Sequence, residues 1–142
     1  MGVQNKLLLQ IGSEVLIRKF VKSVSDSAAG AVLVVVGHEA EKIKAVLQDQ
    51  AVRFVENPCY EEGMTTSIQY GVKAASKEST GLMICPADMP FAETSDFNRL
   101  IQAFTEFRRT ESSLVIVPFF QGKRGNPVLF SEELDRKSTR LN

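Results

Sequence analysis

Ala31-Val32-Leu33-Val34-Val35-Val36-Gly37 is the stretch on which the fold turns. An unbroken apolar run rich in β-branched residues and closed by glycine reads as a strand buried on both faces. Glu39 to Leu47 follows directly and sets Ile43, Val46 and Leu47 on one helical face. This strand-then-helix unit recurs downstream. Val52 to Val55 is a second short strand, stopped by Asn57-Pro58, and Glu62 to Ala75 carries Ile68, Val72 and Ala75 at helical spacing. Gly81 to Cys85 is a third strand, ended by Pro86. Thr94-Ser95-Asp96 then offers caps for a helix bearing Phe97, Leu100, Ile101 and Phe104. Leu114 to Val117 is a fourth strand. Short buried strands alternating with amphipathic helices define an α/β domain with a parallel sheet.

The pattern changes after Pro118. Gly122-Lys123-Arg124-Gly125 is a basic glycine turn, and Pro127 to Phe130 follows too soon for a crossover helix, so an antiparallel return is expected. At the front, Ser13 is placed to cap a helix from Glu14 to about Ser25 with Leu16, Phe20 and Val24 aligned.

At 142 residues the chain is long enough for one domain with a core. Seventeen basic residues balance seventeen acidic ones, which excludes a global positive field for nucleic acid or anionic membrane. No run approaches the roughly 18 apolar residues of a membrane span, and no signal-peptide pattern opens the chain. A cytoplasmic protein is expected. Cys59 and Cys85 form neither a CxxC pair nor a metal-ligand spacing and read as reduced, buried thiols.

Ligands of open α/β sheets bind outside the carboxyl ends of the strands, so the polar and glycine residues past each strand are the candidates. Gly37-His38, Asn57, Pro86-Ala87-Asp88-Met89-Pro90 and Gly125-Asn126 occupy those positions and should gather on one edge. Asp88, between two prolines, suits a magnesium ion that also touches phosphates, or is simply a turn-forming aspartate. Lys6 could neutralise a triphosphate or be a solvated lysine. Gly63-Met64-Thr65-Thr66-Ser67 opens a helix with hydroxyls, fitting an anion or plain capping. Arg124-Gly125-Asn126-Pro127 could present a cation and an amide to a phosphorylated ligand, or be a hairpin connection. His38, the one histidine, is assigned no catalytic role.

Taken together, Met1-Gly2-x-x-Asn5-Lys6-Leu7-Leu8-Leu9, Asn57-Pro58 with Gly63 to Ser67, Pro86-Ala87-Asp88-Met89-Pro90 and Arg124-Gly125-Asn126-Pro127-Val128-Leu129-Phe130 resemble the molybdenum cofactor nucleotidyltransferases, nearest the cytidylyl-transferring branch. The resemblance implies a three-layer, Rossmann-like nucleotidyltransferase sheet, mostly parallel with an antiparallel strand. It implies transfer of CMP from CTP to a molybdopterin-type acceptor, with Mg2+ and release of pyrophosphate, and a molybdenum hydroxylase apoenzyme as partner. Lys6 would hold the triphosphate, Gly37, Asn57 and Ser67 would lie at the nucleotide, Asp88 would hold magnesium, and Arg124, Gly125 and Asn126 would face the acceptor. Measured against the family, the first strand and its glycine-rich loop are missing. Residues 1–135 then form a partial nucleotidyltransferase domain and 136–142 a non-family tail. A sheet without a central strand should be poorly stable, pair readily with another chain and turn over little. The competing readings are a sugar- or isoprenoid-phosphate nucleotidyltransferase and a maturation factor that only binds the molybdenum cofactor.

Overall fold

The computed structural model describes residues 5–75 and 77–132. A short 3-10 turn, Lys6–Leu8, is capped by Asn5, whose Oδ1 accepts from the Leu7 amide at 3.1 Å. It leads into a small hairpin of β1 (Gln10–Ile11) and β2 (Glu14–Val15), turned at Gly12 with φ 63°. The hairpin corrects the expected helix start. Glu14 pairs with Ile11 and the Leu16 amide donates to the Leu9 carbonyl, so α1 begins only at Leu16 (Leu16–Ser25), with Val15 and not Ser13 at its cap.

The βα units then follow in the expected order: β3 (Leu33–Val36), α2 (Ala40–Val46), β4 (Arg53–Glu56), α3 (Met64–Ala74), β5 (Gly81–Ile84) and α4 (Thr94–Phe107). The last segment is β6 (Val115–Ile116), a hairpin of β7 (Phe119–Phe120) and β8 (Lys123–Arg124), and the return strand β9 (Val128–Ser131). The helix α4 is capped one residue earlier than its sequence suggested. The Glu93 amide donates to the Asp96 carboxylate at 2.9 Å, while the Thr94 hydroxyl donates to the Ser23 carbonyl and ties α4 to α1.

The fold is α/β with a mostly parallel sheet, as expected, laid out in two ladders. β3 and β4 pair in parallel with Val34 opposite Phe54. β9 runs antiparallel to β5 on one side and β6 on the other, which makes it the expected antiparallel return. Strand alternation assigns the layers. Val34 and Val36 join Ile17 and Val21 of α1 and Ile43 of α2 in one core, whereas Val35 meets Gly71 of α3 on the opposite face. Phe20 and Phe97 pack edge to face, with centroids 5.8 Å apart, and join α1 to α4 on the first face. Leu7, Val36 and Ala87 share a cluster, which puts the carboxyl ends of β3 and β5 on the same side of the molecule. Among the described residues, no helix is long and apolar enough to cross a membrane.

Candidate functional site

Asn57, just past β4, is the organising residue at the carboxyl end of the first ladder. It is 2% exposed. Its Nδ2 donates to Thr66 Oγ1 at 3.0 Å and Ser67 Oγ at 2.8 Å, and its Oδ1 accepts from the Cys59 amide at 2.8 Å. Both amide protons are thereby consumed. Asn57 ties the loop after β4 to the first turn of α3, where Ser67 lines a cavity. The Thr66 hydroxyl completes the knot through the Gly63 carbonyl, 2.7 Å away.

Gly37 ends β3 under the ring of Tyr60. A Cβ at this position would lie 2.5 Å from Tyr60 Cβ, so glycine is required by close approach. His38 tilts against the same ring at 5.9 Å between centroids and lies 3.3 Å from Glu39 Oε1. Glu39 adopts a left-handed φ of 53°, and Lys42 holds its carboxyl below the usual range, with help from His38 and Asn5. Asn5 therefore belongs to the same rim. Tyr60 was not singled out from sequence. Its contact with Gly37 spans separate elements, and no local pattern signals it.

Asn5, Gly37, His38, Tyr60, Ser67 and Pro86 all line one cavity of about 990 Å3. A second cavity, of about 660 Å3, is walled by Met89, Phe91, Arg99, Pro118 and Asn126; Phe91 is 89% exposed there. The chain segment Pro86 to Pro90 runs from one cavity to the other, Ala87 lining the first and Met89 the second. Asp88 is the residue between them. It is exposed and has no hydrogen-bond or ion-pair partner among the described residues.

Lys6 is exposed and likewise unpaired among the described residues, between Asn5 and Leu7, which both line the first cavity. Arg124 is exposed at the end of β8, and the Gly125 amide donates to the Pro118 carbonyl at 2.8 Å. Asn126 precedes a cis bond to the buried Pro127 and reaches the second cavity. The expected set thus divides: Gly37, Ser67 and, beneath them, Asn57 at one cavity, Asn126 at the other, and Asp88 at the join. The basic glycine turn is the β7–β8 hairpin, closed by Gln121 and Gly122, both with positive φ.

No cluster of three or more metal-ligating side chains occurs among the described residues. A lone, solvent-facing carboxylate still fits magnesium, which is commonly held by one or two carboxylates together with substrate phosphates. The two thiols are Cys59 and Cys85. Both are free and half-buried, and burial pushes the Cys85 thiol up to about 12.

The α/β sheet thus carries glycine, hydroxyl and amide groups at its strand ends, with an exposed lysine near the first cavity and one exposed carboxylate between cavity-lining Ala87 and Met89. The family model for the MobA-like NTP transferase domain matches residues 1–142, and the chain belongs to that family, a class of nucleotidyltransferases. Among curated proteins it is 30% identical over 102 residues to the bifunctional protein GlmU of Staphylococcus carnosus, covering 68% of this chain and 21% of that one. Among solved structures it is similar to a nucleotidyl transferase from Methanothermobacter thermautotroptrophicus, with TM-score 0.79, 23% identity, and 96% and 63% of the two chains covered. A 4-diphosphocytidyl-2C-methyl-D-erythritol synthase from Anaerococcus prevotii follows at TM-score 0.70 and 18% identity, covering 93% and 67%. Rv0371c of Mycobacterium tuberculosis, solved in complex with manganese, matches at TM-score 0.78 and 15% identity, covering 95% and 68%. The chain thus spans about a fifth of the curated relative and somewhat under two thirds of the Methanothermobacter structure.

Proposed function

We propose that this domain transfers CMP from CTP to the terminal phosphate of a molybdopterin-type acceptor, releasing pyrophosphate, in the cytoplasm. The observation that carries the reading is the place of Asp88, between a cavity bordered by Gly37 and Ser67 and a second, more apolar cavity reached by Asn126. In this assignment the nucleotide occupies the first cavity and the acceptor the second. An acceptor phosphate oxygen forms the new bond to the α-phosphorus as the bond from that phosphorus to the pyrophosphate oxygen breaks.

Such a transfer depends on alignment and charge neutralisation and needs no protein nucleophile. Lys6 neutralises the triphosphate as a point charge. Ser67, held by Asn57, borders the nucleotide, and Gly37 allows close approach at the strand end. Arg124, Gly125 and Asn126 serve the acceptor side. Asp88 would hold magnesium, which would supply charge withdrawal at the phosphates. A molybdenum hydroxylase apoenzyme is the proposed recipient of the product.

The test is transfer of label from CTP to molybdopterin with GTP as competitor. Transfer from CTP supports the reading; transfer from neither nucleotide, with the cofactor retained, replaces it by a binding and maturation role. The likeness to the Anaerococcus synthase favours one second reading, an isoprenoid- or sugar-phosphate acceptor. A panel of phosphorylated acceptors distinguishes the two.

A further inference from the structure

Asp88 has no bond or ion pair of its own among the described residues, so the backbone on either side sets its direction. The chain there alternates. Ala87 and Met89 turn inward and pack, with Cys85 and Ala92, against Phe20, Val24 and Phe97, while Asp88 and Phe91 stay exposed. Pro86 and Pro90 restrict the backbone at both ends of this stretch. The Ala92 amide donates to the Met89 carbonyl at 3.3 Å and closes a turn over Pro90 and Phe91. Apolar packing presses this segment onto the core but does not orient it, because the hydrophobic effect has no direction. Hydrogen bonds to another element supply the direction.

Those bonds come from one edge of α1. The Lys19 ammonium donates to the Pro90 carbonyl at 3.3 Å, across 71 residues of sequence. One helical turn further along, the Ser23 carbonyl accepts from the Thr94 hydroxyl at 2.9 Å. The Ser23 bond has a local reason, since carbonyls in the last turn of a helix lack helical partners. Lys19 has no such reason. Its side chain lines neither cavity, and among the described residues its ammonium bonds to Pro90 alone. The residue is half-buried, a state that lysine rarely adopts without a partner. A cation donating to a carbonyl is also a stronger tie than a neutral donor would be.

We propose that Lys19 is a positioning residue for the site. By gripping the Pro90 carbonyl from α1 it fixes the backbone that carries Asp88, and with it the direction of the carboxylate. Met89 and Pro90 also wall the second cavity, so the same grip sets one side of the acceptor space. A site in which one carboxylate serves magnesium depends on that carboxylate being preset by groups behind it. The inference rests on the reading of Asp88 as the residue that would hold magnesium.

The test compares the 142-residue chain with Lys19→Met and Lys19→Arg. Methionine keeps the length and helix propensity of the side chain without the ammonium, whereas arginine still donates. Backbone 15N order parameters at Asp88, Met89 and Phe91 should fall from about 0.85 towards about 0.6 in Lys19→Met, and stay high in Lys19→Arg. In calorimetry, Lys19→Met should weaken magnesium-dependent CTP binding by about tenfold. It should leave CTP binding in EDTA unchanged and add nothing to Asp88→Asn, since both act through one carboxylate. Unchanged order parameters overturn the proposal. A loss of equal size in EDTA, or on top of Asp88→Asn, also overturns it, by making Lys19 a direct phosphate contact. Either failure leaves the effect of Asp88→Asn in place. Should Asp88→Asn bind CTP no differently from the unaltered chain, the reading of Asp88 itself fails and takes the proposal with it. If Lys19→Met does not melt cooperatively, Lys19→Gln replaces it in every arm. Loss of folding in both makes Lys19 a residue of the core and overturns the proposal.

Discussion

Replacing Asn57 by alanine should be the most destabilising single polar truncation at this site. The side chain is 2% exposed and makes three hydrogen bonds, to Thr66, Ser67 and the Cys59 amide. At about 1 kcal/mol net for each, the loss is about 3 kcal/mol, partly because the Cys59 amide is left without its acceptor. With an m-value of about 2 kcal/mol/M, this lowers the urea midpoint by about 1.5 M. Asn57→Asp should recover only part of it, since it keeps an acceptor for the Cys59 amide but removes both donors. A cycle with Ser67→Ala isolates the pairwise share, expected to be at least about 0.5 kcal/mol. A midpoint shift below about 0.3 M with an unchanged m-value would refute the claim that Asn57 holds the α3 turn in place.

Asp88→Asn should leave the urea midpoint unchanged, as the carboxylate is exposed and unpaired among the described residues. It should weaken magnesium-dependent CTP binding by about 10- to 100-fold, and equal binding in calorimetry would remove the metal role. Gly37→Ala drives a Cβ to 2.5 Å from Tyr60 and should destabilise by about 1–3 kcal/mol, a loss that Tyr60→Ala partly relieves in the double variant. Arg18, by its hydrogen bonds, holds the Asp49 carboxyl down at about 2 from 3.8. A depressed folded-state value adds stability above pH 3.8 and loses it as pH falls towards 2, so Asp49→Asn should flatten the acid limb of a stability–pH curve in that window. Burial keeps the Cys85 thiol protonated at pH 8, so alkylation mapped by mass spectrometry should be markedly slower at Cys85 in the folded chain than after unfolding.

Much of the architecture is legible in the sequence because it rests on local rules. The apolar run at Ala31 to Val36, the stops at Pro86 and Pro118 and the helical spacing of Phe97, Leu100 and Phe104 each depend on neighbours within a few residues. They give strands and helices whose limits differ from the structure by a residue or two. The start of α1 was not legible. Ser13 has the chemistry of a cap, but a tiny hairpin with Gln10 and Ile11 competes for the same backbone and wins.

The candidate site divides in the same way. Sequence by itself determined which residues stand past the strands, since a strand followed by glycine, asparagine or proline exposes those positions at its carboxyl end. It also determined that Pro127 to Phe130 returns antiparallel, because too few residues separate it from the preceding strand for a crossover. Only the tertiary structure decided that Asn57 bonds Ser67, that Tyr60 makes glycine obligatory at position 37, and that Ala87 and Met89, on either side of Asp88 in the chain, line two different cavities. Each of these facts is a distance between elements brought together by packing, and linear spacing along the chain does not encode such distances.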